Sequence, residues 1–203
     1  MKCGSATFIY SNYMRTFIAI DVSDEVRRAV GAFTSVLKRE NARVSWVKPE
    51  NVHITLKFLG EIDKEKIPGI NEAIQVCARN QKPFEIEIKG SGGFPNLNRP
   101  RVIWVGMTEG AEELKRLAGA VDNELSKLGF QKEKRAFKPH LTIGRVKTIN
   151  DTESFIEKMN STDFYGGRFT AGEMLLMKSD LKPTGAEYTK LETVNLNNRQ
   201  IIN

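Results

Sequence analysis

The only two histidines in this sequence sit in the same four-residue frame. One opens His53-Ile54-Thr55-Leu56 and the other opens His140-Leu141-Thr142-Ile143. With 13 threonines in 203 residues, each histidine has roughly a 6% chance of a threonine two places on. Both doing so by accident is about 1 in 250, before the four flanking aliphatics are counted. That count disfavours the plain alternative, two strands that each happen to carry a surface His and Thr.

In a strand, residues i and i+2 point to the same side, about 6.5–7 Å apart along the chain, while the residues between them anchor the opposite face. Each histidine therefore has a hydroxyl on its own face, able to donate to an oxygen of the group that the imidazole addresses. Imidazole titrates near neutral pH, so two copies facing one groove can serve as acid and base at the same pH. Cleaving a P–O bond with water needs that pair, one group to take the proton of water and one to protonate the departing oxygen. The strand argument leaves open which histidine takes which part.

Elements must bring these frames together. Thr16 to Val22 is an apolar, β-branched run read as a strand. Ser23 offers a helix N-cap, with Asp24 and Glu25 in the first turn, and Val26, Ala29, Val30, Phe33 and Leu37 follow as one stripe. Val44 to Val47 reads as a second strand. His53 to Leu59 alternates, with Ile54, Leu56 and Phe58 on one face and His53, Thr55 and Lys57 on the other. Ile67, Ile70, Ile74 and Cys77 predict a helix that tolerates Pro68 only in its first turn. Phe84 to Ile88 alternates cleanly, Gly90 to Arg99 reads as a loop, and Val102 to Val105 as a central strand. Leu114, Leu117, Ala118, Val121, Leu125 and Leu128 make a helical stripe that Gly129 stops. His140 to Ile143 is again a strand. A short helix near Phe155 to Met159 and strands at about 172–181 and 187–196 complete the order. Such mixed runs indicate an α+β fold in one folding unit, without a Pro, Gly or Ser-rich linker.

Composition sets the limits. Hydrophobic residues make up 40% and charged residues 28%, too apolar for a disordered chain. No apolar run of 18 residues exists, so a membrane-spanning helix is not expected. A net charge of +6 and a pI near 9.3 suit a polyanionic partner such as RNA without requiring one. Cys3 and Cys77 form no disulfide framework and no metal-binding spacing. The first thirteen residues lack the apolar core of a signal peptide, so a reducing cytoplasm is the expected location.

The paired frames resemble the 2H phosphoesterase superfamily, and their surroundings resemble its RNA 2′,3′-cyclic phosphodiesterase family, long called 2′-5′ RNA ligases. Arg15-Thr16-Phe17-Ile18-Ala19-Ile20-Asp21 is similar to the family's opening strand. The run from Val44-Ser45-Trp46 through His53-Ile54-Thr55-Leu56 to Leu59-Gly60-Glu61 is similar to its first motif. Phe137-Lys138-Pro139-His140-Leu141-Thr142-Ile143-Gly144-Arg145 is similar to the second, and Gly185-Ala186-Glu187-Tyr188 to a late segment. The resemblance covers about residues 14–196, leaving an extension at 1–13 and a tail at 197–203.

It implies a bilobal α+β fold with pseudo-twofold symmetry, in which two antiparallel or mixed sheets flank a cleft and helices pack outside. It implies an RNA or oligonucleotide substrate, tRNA fragments among them, whose terminal 2′,3′-cyclic phosphate is hydrolysed to a 2′-phosphate, with reversible 2′-5′ ligation alongside. By this resemblance His53 is the proton donor and His140 the proton acceptor. Thr55 and Thr142 hold the phosphate oxygens, Arg145 adds a guanidinium, and no metal or cofactor is called for. A monomer off the membrane is the default. The competing function is a non-catalytic RNA- or nucleotide-binding protein with the same cleft, although binding alone does not require two titratable groups.

Strict alternation puts Arg145 on the face opposite His140, unless Gly144 marks a bulge that re-aims it. Lys57 shares the parity of His53 and reads as an exposed lysine. Phe17 and Trp46 could stack a base, though core packing is the plainer reading of each. Lys132-Glu133-Lys134-Arg135 lies close before the second motif and could guide RNA, but reads equally as a solvated loop. Cys77 reads as a core filler.

Overall fold

The computed structural model describes residues 12–40, 42–183 and 185–197. Its elements are β1 (Tyr13–Asp21), α1 (Asp24–Leu37), β2 (Ala42–Trp46), β3 (His53–Asp63), α2 (Ile67–Arg79), β4 (Phe84–Phe94) and β5 (Val102–Glu109). They continue with α3 (Ala111–Lys127), β6 (Leu141–Ile149), α4 (Thr152–Ser161), β7 (Tyr165–Ala171), β8 (Glu173–Lys182) and β9 (Gly185–Asn195). Tyr13 already pairs with Asp63 in β1, so the first strand starts before Thr16. The rest of the expected extension, with Cys3, lies outside the described residues up to residue 11, as does the tail from 198.

Local signals act where the sequence places them. Ser23 Oγ accepts the Val26 N–H at 3.3 Å, starting α1, whose Val26, Val30, Phe33 and Leu37 are buried. Pro68 sits in the first turn of α2, where no helical N–H is missed. Gly129 takes a φ of +84° just after α3, a left-handed stop that suits glycine. Leu128, assigned to the α3 stripe by spacing, falls beyond the helix end and is exposed.

Two antiparallel sheets result. The first has strand order β3-β1-β8-β9 and the second β2-β6-β5-β4-β7, with every pairing antiparallel. Each sheet carries one motif strand, β3 in the first and β6 in the second, and β5 is central as its unbroken apolar run suggests. Helices α2 and α3 pack together behind the first sheet, against β8, β9 and β3, while α1 and α4 back the second against β7 and β4. The buried apolar side chains of both sheets join in one core. None of the helices among the described residues is long and apolar enough to cross a membrane.

Two elements depart from the pattern reading. The stretch from Gly90 to Phe94 is strand, not loop. Gly92 pairs with Trp104, and a Cβ there would stand 2.3 Å from the indole Cζ2. The second is β7, which pairs with β4 at the sheet edge. The sequence pattern assigns no strand over Tyr165–Ala171, and pairing with β4 makes the segment extended.

Candidate active site

Both histidines are held in the same way by their own chain. His53 Nδ1 lies 2.8 Å from the Asn51 carbonyl, and His140 Nδ1 lies 2.6 Å from the Lys138 carbonyl. A carbonyl only accepts, so Nδ1 carries a hydrogen in either ionisation state and Nε2 is the nitrogen that gains or loses the working proton. Thr55 Oγ1 sits 2.9 Å from His53 Nε2, within reach of whatever that nitrogen addresses. Each imidazole also has an aromatic neighbour on its own sheet. Phe17 stacks on His53 with centroids 4.6 Å apart, and Phe94 meets His140 edge to face at 5.0 Å.

The stretch before β3 is tied to the far side of its sheet by Asn51, whose Nδ2 donates to the Ala186 carbonyl of β9 at 2.7 Å. Two residues on, Tyr188 packs edge-on to both His53 (5.2 Å) and Phe17 (5.0 Å). Burial raises its phenol above the ordinary range, against the opposing charges of Arg145 and Arg15. The Arg145 charge acts on His140 as well. Tyr188 and Arg145 thus link the first sheet's histidine to the second's, and β3 and β6 come into contact across the lobes.

Arg145 reaches this face through an extra residue in β6. Thr142 pairs with Trp104, whereas Gly144 pairs with Ile103 and Arg145 with Val102. Val102 and Trp104 are two apart on β5, so their partners Arg145 and Thr142 share a face. Gly144 itself has no room for a side chain, since a Cβ would lie 2.7 Å from Val44 Cγ1 and 3.0 Å from the Trp46 ring. Trp46, which pairs with Gly144, packs against the core on the opposite face. Phe17 is buried beneath His53 instead of being open to a base.

A comparable irregularity in β3 overturns the reading of Lys57. Thr55 pairs with Ala19 but Lys57 pairs with Ile18, so Leu56 is one residue too many and the faces exchange beyond it. Lys57 turns inward and is 3% exposed. Its Nζ donates to Asp122 Oδ1 of α3 at 2.5 Å and to the Gln131 carbonyl at 2.8 Å. Phe58, assigned to the core by alternation, pairs with Phe17 and emerges on the histidine face at 54% exposure. Periodicity alone misses both.

Burial lowers both imidazoles below their ordinary value, but their charged surroundings oppose each other. Beyond burial and the Asn51 carbonyl, His53 feels the Asp21 carboxylate, which raises it, and more weakly Arg27, which lowers it. Asp21 is its cross-strand partner and is itself salt-bridged to Arg27 and Lys190. His140 has burial, the Lys138 carbonyl and then Arg145, whose charge lowers it further. Among the described residues, no group of three or more His, Cys, Asp or Glu side chains is placed to hold a metal ion. Cys77 is a buried free thiol that burial pushes up to about 11.

The sequence and the fold are similar to those of known proteins. The chain is 36% identical to an RNA 2′,3′-cyclic phosphodiesterase of Methanothermobacter thermautotrophicus over 184 residues, covering 90% of this chain and 99% of that one. It is 41% identical to one from Archaeoglobus fulgidus over 179 residues, covering 88% and 98%. Among solved structures it is similar to a Thermus thermophilus protein, with a TM-score of 0.77, 29% identity and coverage of 91% and 98%. It is also similar to Escherichia coli LigT complexed with 3′-AMP, with a TM-score of 0.73, 26% identity and coverage of 91% and 98%. Residues 22–183 match the model of the 2′-5′ RNA ligase superfamily, and the chain belongs to that family, a branch of the 2H phosphoesterases.

Proposed function

We propose that this protein hydrolyses the 2′,3′-cyclic phosphate at the end of an RNA, tRNA fragments among its substrates, and leaves a 2′-phosphate. Water attacks phosphorus and yields its proton to His140 Nε2. The P–O3′ bond breaks, and His53 Nε2 protonates the departing 3′ oxygen. Thr55 and Thr142 donate to the non-bridging oxygens, and the Arg145 guanidinium meets their negative charge. Solvent then returns the two imidazoles to their starting states. A 5′-hydroxyl in place of water gives a 2′-5′ linkage through the same groups.

One observation carries this reading: two identically mounted imidazoles with opposite electrostatic partners. A carboxylate favours the charged form of His53, as an acid requires, and a guanidinium favours the neutral form of His140, as a base requires. The two charges act in opposite senses on imidazoles that burial lowers alike, and that difference is what assigns acid and base. The names of the relatives from Methanothermobacter and Archaeoglobus agree with the reaction.

The test is product analysis on an RNA oligomer with a 2′,3′-cyclic end, incubated in chelator. A 2′-phosphate product is expected, with joined species when a 5′-hydroxyl acceptor is supplied. A 3′-phosphate product would reverse the assignment of the bond broken. Tight binding without turnover would make the protein a binder of such ends.

A further inference from the structure

We propose that the groove between β3 and the segment Phe130 to Arg135 binds the nucleotide that precedes the cyclic end, which makes this protein prefer oligonucleotides to cyclic mononucleotides. This rests on the reading of the site as a cyclic phosphodiesterase. The groove encloses about 590 Å³ and is lined by Phe58, Leu59 and Gly60 on one side and by Phe130 to Arg135 on the other. That volume is within the usual range for small-ligand sites.

Its position follows from the bulge at Leu56. Phe58 lies 6.1 Å from Phe17, and Phe17 lies 4.6 Å from His53, centroid to centroid. The exposed ring is therefore one aromatic removed from the histidine, on the same face. A cyclic end is the 3′ end of its strand, so the rest of the RNA leaves the site in a single direction, from the 5′ side of the terminal nucleotide. An exposed aromatic at that distance offers the next base a stacking platform of the kind that single-strand binders use.

The opposite wall supplies cations on a backbone that is tied down. Lys57 Nζ holds the Gln131 carbonyl, Asp122 accepts the Glu133 N–H at 3.2 Å, and Lys132 Nζ donates to Asn123 at 2.7 Å. Lys134 and Arg135 are exposed, and neither forms a salt bridge among the described residues. Lys66 lies over the Phe130 ring at 5.4 Å. Because Lys57 neutralises Asp122, Glu133 is the uncompensated carboxylate of the lining, and the wall keeps an excess of positive charge suited to a phosphodiester.

The experiment compares a cyclic mononucleotide with a short oligoribonucleotide bearing the same cyclic end, in the unmodified protein and in Phe58→Ala and Lys134→Ala/Arg135→Ala. Phe58→Ala should lower kcat/KM for the oligonucleotide about tenfold or more, through KM, while mononucleotide turnover stays unchanged. Phe58→Trp should restore it. The double variant should flatten the dependence of log KM for the oligonucleotide on log salt by about 0.7 for each phosphate that the wall no longer neutralises. Anisotropy of a labelled oligonucleotide ending in a 3′-phosphate gives the same comparison without turnover, so it reads the groove even if the protein proves to be a binder. Equal losses for both substrates in Phe58→Ala, or no loss for the oligonucleotide by either measurement, would overturn the proposal.

Discussion

Replacing Lys57 by Met tests the claim that β3 changes faces at Leu56. The methionine fills most of the space of the lysine stem but removes a charge that is buried against Asp122, whose side chain is 19% exposed. Breaking a buried ion pair by deleting one partner costs about 3–5 kcal/mol, because the remaining charge is stranded. Asp122 keeps the Glu133 N–H and some access to water, which reduces the loss to about 2–3 kcal/mol. In Lys57→Met/Asp122→Asn no charge is stranded and the amide oxygen still accepts the Glu133 N–H. That variant should recover to within about 1 kcal/mol of the parent.

Urea unfolding of all four proteins at pH 7 measures this cycle. A pH series adds the sign. Burial opposes the ionisation of Asp122, but hydrogen bonds from Lys57 and Glu133 hold it below its ordinary 3.8. Its contribution is therefore complete above 3.8 and fades as the pH falls towards the folded value. Without Lys57, acid instead relieves the variant by neutralising the stranded carboxylate, so the gap between parent and Lys57→Met should narrow below about pH 5. A cost under about 1 kcal/mol, or one that Asp122→Asn leaves untouched, would mean that Lys57 points to solvent and that the face exchange is wrong.

Replacing either His53 or His140 by Ala should lower kcat on the order of 10²-fold or more with little change in KM, and steady-state kinetics on a cyclic mononucleotide will show it. The pH–rate profile should be bell-shaped. Asp21→Asn removes a carboxylate that raises His53, so the alkaline limb should move to lower pH, whereas Arg145→Gln should move the acid limb to higher pH. If both variants shifted the same limb, the division of roles would be wrong. Gly92→Ala puts a methyl into the Trp104 indole and should destabilise by about 1–3 kcal/mol in urea. It should also lower kcat, because Trp104 supports Phe94 (5.3 Å), which supports His140.

Element identity is largely legible in the sequence, since the apolar stripes of α1, α2 and α3 and the alternation of β3 and β4 follow from which side of an element meets the core. The frames of the two histidines are also readable, because i and i+2 stay on one face over three residues whatever the partner strand does. What fails are inferences carried further along a strand. Alternation is a property of an unbroken strand, and both motif strands are broken within three residues of their histidines. Periodicity puts Lys57 and Phe58 each on the wrong face for that reason. For Arg145 the glycine beside it is a usable mark of the break, whereas Leu56 in β3 carries none. Trp104 shows another limit: a glycine run reads as loop until a distant indole is seen to lie against it.

The two lobes present the same mount twice, and symmetry alone would give two imidazoles of equal proton affinity, with nothing to decide which serves as acid and which as base. The sequence departs from symmetry where the distinction has to be made. Opposite His53, the first sheet places Asp21 at the cross-strand position, with two cations holding its carboxylate in place. The second sheet instead inserts a residue after Thr142 and turns Arg145 onto the face of its histidine. Burial lowers both proton affinities; the carboxylate offsets part of that at His53, and the guanidinium adds to it at His140. The phosphate that binds between them adds negative charge to both, and so favours protonation of the imidazole that already has the carboxylate. The bulge in β6 is therefore part of the proposed mechanism, because it adds a fixed positive charge to the burial that already favours the neutral form of the second imidazole.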